Sequence, residues 1–131
     1  MASVGNRDTG PELLLRKALH RLGFRYRIGP KNLPGKPDLA FPSRRKAVFV
    51  HGCFWHGHSC RYGSLPKSRL AYWEPKIQAN RKRDRKQRRA LRHLGWSNAV
   101  VWECSLKKNV GREVERVLRF LKKARPNEIP R

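Results

Sequence analysis

Apolar residues recur at helical spacing in three stretches of this chain. In each stretch an apolar side chain returns every three or four positions, which gives a helix one face that can be buried. The pattern predicts helices over residues 9–22, 73–94 and 110–121. At the start of the first helix, Thr9 and Glu12 have the spacing of a capping box, in which two side chains satisfy backbone N–H groups.

Short apolar runs between these helices predict strands. Residues 24–28 alternate aromatic or aliphatic side chains with arginine, as a half-buried strand does. Two further runs, at 38–41 and 47–50, are separated by a basic turn and are typical of a hairpin, while residues 98–103 have the apolar character of a buried strand. The sequence therefore predicts one sheet flanked by helices.

The length of the chain limits it to one compact unit. Its 131 residues can bury the core of one sheet and a few helices, but not two independent cores. We therefore expect a single domain over residues 1–131, with 1–8 as a short flexible arm and 125–131 as a C-terminal tail.

The charge of the chain is strongly unbalanced. Thirty-two Lys and Arg residues against nine Asp and Glu give a formal net charge of +23, which destabilises a compact chain unless a polyanion is nearby. The cations extend along the whole chain, with aromatic residues between them, so we expect a folded basic surface that binds nucleic acid. No stretch approaches the roughly 20 apolar residues of a membrane span, and the N-terminus lacks an apolar signal core. We expect a cytoplasmic protein with no membrane partner.

Histidine and cysteine are concentrated immediately after one predicted strand. Residues 46–60 read KAVFVHGCFWHGHSC and hold three of the five histidines and two of the three cysteines. Such short spacings are typical of zinc sites, although three buried thiols with surface histidines would be a simpler explanation. Spacing alone does not decide whether His56 or His58 is a ligand. The candidate zinc ligands are Cys53, His58 or His56, Cys60 and Cys104.

Two of the scarce acidic residues are candidates for chemistry. Asp38 opens a predicted strand, where its carboxylate, with the carbonyl of Val50, could hold Mg²⁺ beside a phosphate; an ordinary turn residue is the simpler interpretation. Asp84 lies seven residues from both Ile77 and Leu91, which places it on the inward side of a basic helix. Pro75 fits this helix only in its first turn. An inward carboxylate needs a partner, either a histidine used in acid–base chemistry or an arginine in a structural ion pair.

Aromatic and basic residues are candidates for contacts with nucleic acid. Phe54 and Trp55 are adjacent, so an extended backbone points them to opposite sides and a sheet can bury only one. Trp73 follows a basic loop, and core packing is the alternative for each of these rings. A phosphate-contacting face is predicted at Arg81, Lys82, Arg83, Arg85 and Lys86.

Several of these motifs occur together in one order. The chain contains DTGPEL, LPGKPD, VFVHGCFWHGHSC, YWEPKI, NRKRD and VWEC. Together they resemble the very-short-patch repair (Vsr) family of DNA mismatch endonucleases, and the resemblance covers nearly the whole chain. It implies a restriction-endonuclease-like α/β fold, with a mixed sheet flanked by helices, a structural zinc ion and a Mg²⁺-dependent nicking site. It also implies that the chain cuts 5′ to the thymine of a T:G mismatch left by deamination of 5-methylcytosine.

The resemblance also implies a role for each candidate residue. Asp38 and the carbonyl of Val50 would bind Mg²⁺, and His56 would assist the attacking water, while metal-bound waters would be placed by Asp84, His51 and Glu12. Zinc would be bound by Cys53, His58, Cys60 and Cys104, and the aromatic wedge at the mismatch would consist of Phe54, Trp55 and Trp73.

Two departures from the family and two alternative functions accompany this resemblance. The position of Val50 is often threonine in the family, and the segment before Thr9 is shorter than the basic arm of many members. The alternatives are a nuclease of the same fold with another target, and a zinc-stabilised DNA-binding module without catalysis. We expect a monomer, because one nick needs one active site, and mismatch-repair proteins as possible partners.

Overall fold

The structure is a computed structural model that describes residues 10–53 and 69–123. In this part of the chain one helix is followed by three strands, a long helix, a fourth strand and two further helices. In chain order the elements are α1 (Gly10–Arg21), β1 (Arg27–Ile28), β2 (Leu39–Phe41), a 3₁₀ turn (Pro42–Arg44), β3 (Lys46–His51), α2 (Leu70–His93), β4 (Ser97–Trp102), α3 (Glu103–Lys108) and α4 (Val110–Lys122).

The four strands form one mixed sheet in the order β1-β2-β3-β4. β1 and β2 are antiparallel, as are β2 and β3, so the predicted hairpin is confirmed. β3 and β4 are parallel over six residues, from Lys46 opposite Ser97 to His51 opposite Trp102. Parallel neighbours require a crossover, and α2 lies between them in sequence.

Helices cover both faces of the sheet because alternate strand residues point to opposite sides. On one face Val48 and Val101 pack with residues of α1, α3 and α4. On the other face, Ala47 and Phe49 pack with Leu91 of α2. The result is a three-layer α/β domain whose second face, under α2, also receives the side chain of His51.

A buried lysine of β3 caps the end of α4. The Nζ atom of Lys46 donates to the carbonyl oxygens of Phe120 at 2.6 Å and Leu121 at 3.1 Å, and also to that of Lys123. Arg44 donates to the Leu121 carbonyl from Nη1 at 3.2 Å. The last carbonyls of a helix lack partners within the helix and carry partial negative charge, so they suit an ammonium group.

The first predicted strand is shorter than the alternation of residues 24–28 suggested. The chain leaves α1 through a Schellman motif, in which the N–H groups of Gly23 and Phe24 donate to His20 and Leu19 at 3.0 Å each. Phe24 is buried in the core with Leu19. Its backbone is therefore committed to ending the helix, and β1 begins only at Arg27.

The long helix also begins earlier than expected. Because α2 starts at Leu70, Pro75 lies in its second turn rather than its first, and the prediction for this residue was wrong. Proline has no N–H group, so it cannot donate to the carbonyl of Ala71 four residues earlier. In the part of the chain that the structure describes, no helix has the length and apolar character needed to cross a membrane.

A tight turn before β2 brings the backbone against α2. Lys36 donates from its backbone N–H to the carbonyl of Leu33 at 3.2 Å, and Gly35 has a φ of +79°, as in a type II turn with Pro34 at its second position. A Cβ atom at Gly35 would lie 3.1 Å from both Gln87 Cβ and the Phe49 ring. Glycine is required here by both its conformation and its size.

We expect Gly35→Ala to lower the free energy of unfolding by about 2 kcal/mol or more, because it combines a left-handed backbone with contacts to Gln87 and Phe49 that are closer than most Cβ atoms make. Gly23→Ala is the matched control: its φ is +96°, but nothing lies within 4 Å of the added Cβ, so about 1 kcal/mol is expected. Urea unfolding followed by circular dichroism measures both values. Equal losses would show that the contact with Phe49 and Gln87 is unimportant.

Candidate active site

A cleft of about 180 Å³ lies on the α2 side of the sheet. Three parts of the chain form its walls: the turn before β2, the end of β3 and the middle of α2. Of the residues predicted to act in catalysis or Mg²⁺ binding, Asp38, Val50, His51 and Asp84 line it. The cleft is also lined by Gly35, Lys36, Phe49, Gln87 and Arg88.

Asp38 is held against the neighbouring strand. Its Oδ2 atom accepts a hydrogen bond from the backbone N–H of Val50 at 2.6 Å, and its backbone carbonyl accepts one from Gly29 at 2.9 Å. A charge-assisted bond of this length fixes the orientation of the carboxylate. The half-buried position in a cleft is more constrained than that of an ordinary turn residue.

His51 is the last residue of β3 and is buried. Its ring lies between two aromatic neighbours, with centroids 5.6 Å from Phe49 and 5.3 Å from Trp102, the latter edge to face. These contacts limit the rotation of the imidazole. They hold it at the end of the strand, where it lines the cleft.

Asp84 lies half-buried on α2, between the buried residues Ile77 and Leu91. Its inward orientation agrees with the seven-residue spacing. Both kinds of partner considered for it line the same cleft: the histidine is His51 and the arginine is Arg88. Burial lowers the pKa of the Arg88 guanidinium, the positive charge of Arg92 lowers it further, and the negative charge of Asp84 opposes both effects.

Glu12 lies elsewhere in the described structure. Its carboxylate is buried within α1, where Oε2 is 3.7 Å from Nη1 of Arg16, and it is not among the residues that line the cleft. Its role in placing a metal-bound water stays a prediction. The capping-box partner Thr9 lies outside the described residues.

The described half of the predicted zinc site lies at one edge of the sheet. Cys53 is buried and Cys104 is half-buried. His51 of β3 and Trp102 of β4 are opposite one another on adjacent parallel strands. Cys53 follows His51 by two residues, and Cys104 follows Trp102 by two residues. The other predicted ligands, His58 and Cys60, lie outside the described residues, as do His56, Phe54 and Trp55.

No group of three His, Cys, Asp or Glu side chains within residues 10–53 and 69–123 is arranged to hold a metal ion. Only two of the four predicted zinc ligands fall in these ranges. For Mg²⁺, the carboxylate of Asp38 fits the usual requirement, because this ion is commonly held by one or two carboxylates, waters and substrate phosphates rather than by a cage of protein ligands. Asp84 lines the same cleft, as a residue that contacts metal-bound water would.

Trp73 lies half-buried in the first turn of α2. Its ring meets that of Tyr72 edge to face, with centroids 4.9 Å apart. Tyr72 is exposed, and the cationic groups of Arg69 and Lys76 lie 5.0 Å and 5.1 Å from its ring centroid. Aromatic and positively charged groups are therefore adjacent at this end of the helix.

The predicted phosphate-contacting residues form an exposed face of α2. All five side chains are exposed, whereas Asp84, which lies within the same run, is half-buried. One helix thus presents cations to solvent and a carboxylate to the cleft. The five cations are Arg81, Lys82, Arg83, Arg85 and Lys86.

Three polar residues of the cleft were not singled out from the sequence. Gln87 and Arg88 follow Asp84 by three and four residues, the spacing of neighbours on one side of a helix, so this signal was available. Lys36 lies in the LPGKPD turn, and its place in the cleft depends on the conformation of that turn.

Comparison with known proteins identifies the family. The family model described as DNA mismatch endonuclease Vsr matches residues 1–62. The chain is 58% identical over 106 residues to the type II nicking enzyme V.XorIIP of Xanthomonas oryzae pv. oryzae, which covers 81% of this chain and 78% of that protein. It is 40% identical over 113 residues to the DNA mismatch endonuclease Vsr of Escherichia coli, and the match covers 86% of this chain and 70% of that protein. The chain belongs to the Vsr family.

A further relative of this Vsr-family chain is the type II nicking enzyme V.NmeAIP of Neisseria meningitidis serogroup A, 44% identical over 126 residues, which cover 95% of this chain and 90% of that protein. Membership of the Vsr family confirms the predicted resemblance and the prediction of a DNA endonuclease. The mixed sheet with helices on both faces also fits the expected restriction-endonuclease-like architecture.

We expect replacement of Arg81 and Arg85 by glutamine to weaken duplex DNA binding equally for all sequences, because phosphate contacts carry no base information. The slope of log affinity against log salt should become shallower by about one for each arginine that is replaced. Fluorescence anisotropy at several KCl concentrations measures this. The matched control replaces Lys17 and Arg21, which are exposed with the same spacing on α1, and an equal weakening there would contradict the assigned face.

Proposed function

We propose that this protein nicks one DNA strand 5′ to the thymine of a T:G mismatch arising from deamination of 5-methylcytosine, in a Mg²⁺-dependent reaction that begins very-short-patch repair. The observation that carries the proposal is the cleft that brings together Asp38, His51 and Asp84 from separate parts of the chain. In a member of a mismatch endonuclease family, such a cleft is the natural site for cutting a phosphodiester.

Asp38 and the carbonyl oxygen of Val50 would hold the Mg²⁺ ion. When bound, the ion supplies positive charge that stabilises the developing charge on the scissile phosphate. The hydrogen bond from the Val50 N–H to Oδ2 of Asp38 supports this assignment, because it fixes the carboxylate beside the backbone of β3. A backbone ligand also tolerates valine at this position, where many family members have threonine.

His56 would take a proton from the attacking water. A histidine titrates close to neutral pH, so it can act as a general base under ordinary conditions. His51 and Asp84 would orient water around the metal, and their places in the cleft support this role. Glu12 is assigned to the same task by the family resemblance.

Zinc would be bound by Cys53, His58, Cys60 and Cys104 and would hold in place the loop that carries His56. The register of β3 and β4 supports a common site for Cys53 and Cys104, because the strands end side by side at His51 and Trp102 and each cysteine follows two residues later, Cys104 in the first turn of α3. Three thiolates and one imidazole are a common tetrahedral ligand set for structural zinc.

Selectivity for the mismatch would come from Phe54, Trp55 and Trp73. A mismatched step is easier to unstack than a paired one, so insertion of aromatic rings favours the mismatch. The adjacent Tyr72 and the cations around its ring support DNA contact at this end of α2. The mismatch-repair partners and the monomeric state stay predictions.

A second candidate is a nicking enzyme of the same fold with another target. Two relatives, V.XorIIP and V.NmeAIP, are named type II nicking enzymes, and their names do not mention a DNA mismatch. The third alternative, a DNA-binding module without catalysis, does not agree with membership of an endonuclease family.

We expect the protein with Mg²⁺ to nick only the thymine strand of a labelled duplex with one T:G mismatch, and not the T:A duplex of the same sequence. Asp38→Ala should reduce the rate by at least about 10³-fold, because the principal metal ligand is removed. Denaturing electrophoresis of each strand, with Mg²⁺ or EDTA, measures this. Equal cutting of both duplexes would favour the second candidate, and Mg²⁺-independent cutting would contradict the assigned chemistry.

We expect purified protein to contain about one zinc ion per chain, with Cys104→Ser and His58→Asn losing zinc and unfolding at lower temperature, because each removes one ligand. Elemental analysis and thermal unfolding measure this independently of nicking. His20→Asn, on the exposed surface of α1, is the control and should retain zinc. His56→Asn should retain zinc but lose nicking, and loss of zinc from that variant would exchange the roles of the two histidines.

A further inference from the structure

Arg88 lies in the cleft one helical turn after Asp84. It is half-buried and lines the same cavity as Asp38 and His51. It is not one of the five predicted phosphate-contacting residues of α2, all of which are exposed. The cleft proposed to receive the scissile phosphate therefore has an arginine among its lining residues.

The side chain is anchored to the sheet by Asn98. Nε of Arg88 donates to Oδ1 of Asn98 at 2.7 Å, and Nδ2 of Asn98 donates to the backbone carbonyl of Arg88 at 3.3 Å. Asn98 lies on β4 opposite Ala47 of β3. The pair of hydrogen bonds therefore restricts the guanidinium before any ligand arrives, which reduces the entropy cost of binding.

The anchoring contact leaves most of the guanidinium available to a ligand. Arginine has five N–H donors, and the bond to Asn98 uses only the one at Nε. Asn98 is neutral, so this bond does not neutralise the cation. The two terminal nitrogens have the planar geometry that suits two oxygens of one phosphate.

The electrostatic environment also favours an anion at this position. Burial and the nearby charge of Arg92 both lower the pKa of Arg88. Both effects destabilise its cationic form relative to an arginine in water. Asp84 offsets this effect in part. A phosphate close to the terminal nitrogens would offset the remainder, and Lys36 lines the same cavity with a second positive charge.

We propose that Arg88, positioned by Asn98, is a further substrate-binding residue that contacts non-bridging oxygens of a DNA backbone phosphate in the cleft. This assignment rests on the proposed function, because it takes the cleft as the place where the DNA backbone enters. Arg88 thus differs from the exposed cations, which attract the duplex from solvent and are not preorganised by a neutral partner.

The test compares binding of a labelled duplex with one T:G mismatch, in EDTA to prevent cutting, at several KCl concentrations. Arg88→Gln should weaken affinity about tenfold, as expected for a charge-assisted hydrogen bond, and make the salt slope shallower by about one. Asn98→Ala should weaken affinity while leaving the slope unchanged, because the charge remains. Arg21→Gln, an exposed arginine of α1 outside the cleft and outside the phosphate-contacting face of α2, is the control and should stay within about twofold of the parent.

Equal affinities of Arg88→Gln and Arg21→Gln would overturn the assignment. Normal DNA affinity combined with a lower kcat and a shifted pH profile in Arg88→Gln would also overturn it, because Arg88 would then act through Asp84. If Arg88→Gln does not fold, as judged by thermal unfolding, Arg88→Lys and Asn98→Ala carry the test, and unchanged affinity in both would overturn the proposal. Failure of the parent to nick this duplex with Mg²⁺ would contradict the proposed function instead, without changing the binding comparison.

Discussion

Two neighbouring parallel strands cannot be joined by a tight turn, because the chain must return to the starting end of the first strand before the second begins. β3 and β4 are such a pair over six residues, and α2 lies between them in sequence. This pairing places α2 across one face of the sheet, with Leu91 in the core and Asp84 at the cleft. It also brings the end of each strand to the same edge. The α2 wall of the cleft, and the positions of Cys53 and Cys104 after the ends of β3 and β4, therefore depend on this one set of backbone hydrogen bonds.

Much of the fold was predictable because the apolar pattern is regular. Spacing located α1, α2 and α4 closely, and the hairpin of β2 and β3 followed from two apolar runs around a basic turn. The errors have local causes. Phe24 takes part in ending a helix, which alternation of side chains cannot reveal, and α3 has only six residues, too few for a helical period to appear.

The site was predictable to the extent that its residues differ from their surroundings. Asp84 stands out as an acid in a basic helix, and its seven-residue spacing correctly indicated an inward side chain. Arg88 does not stand out, because it is one of many cations in that helix and only the contact with Asn98 distinguishes it. The family resemblance supplied roles for residues such as Glu12, whose burial beside Arg16 has no signature in sequence beyond a four-residue spacing.

The cap provided by Lys46 has a consequence for how the chain folds. Its acceptors lie 74 to 77 residues further along the chain, beyond α2, β4 and α3. During synthesis the ammonium group cannot be buried at low free energy until α4 has left the ribosome, because a buried charge without acceptors is strongly unfavourable. The central strand therefore cannot reach its final environment early. Contacts this distant in sequence favour slow, cooperative folding of these elements as one unit, with α4 packing as the sheet forms rather than onto a finished sheet.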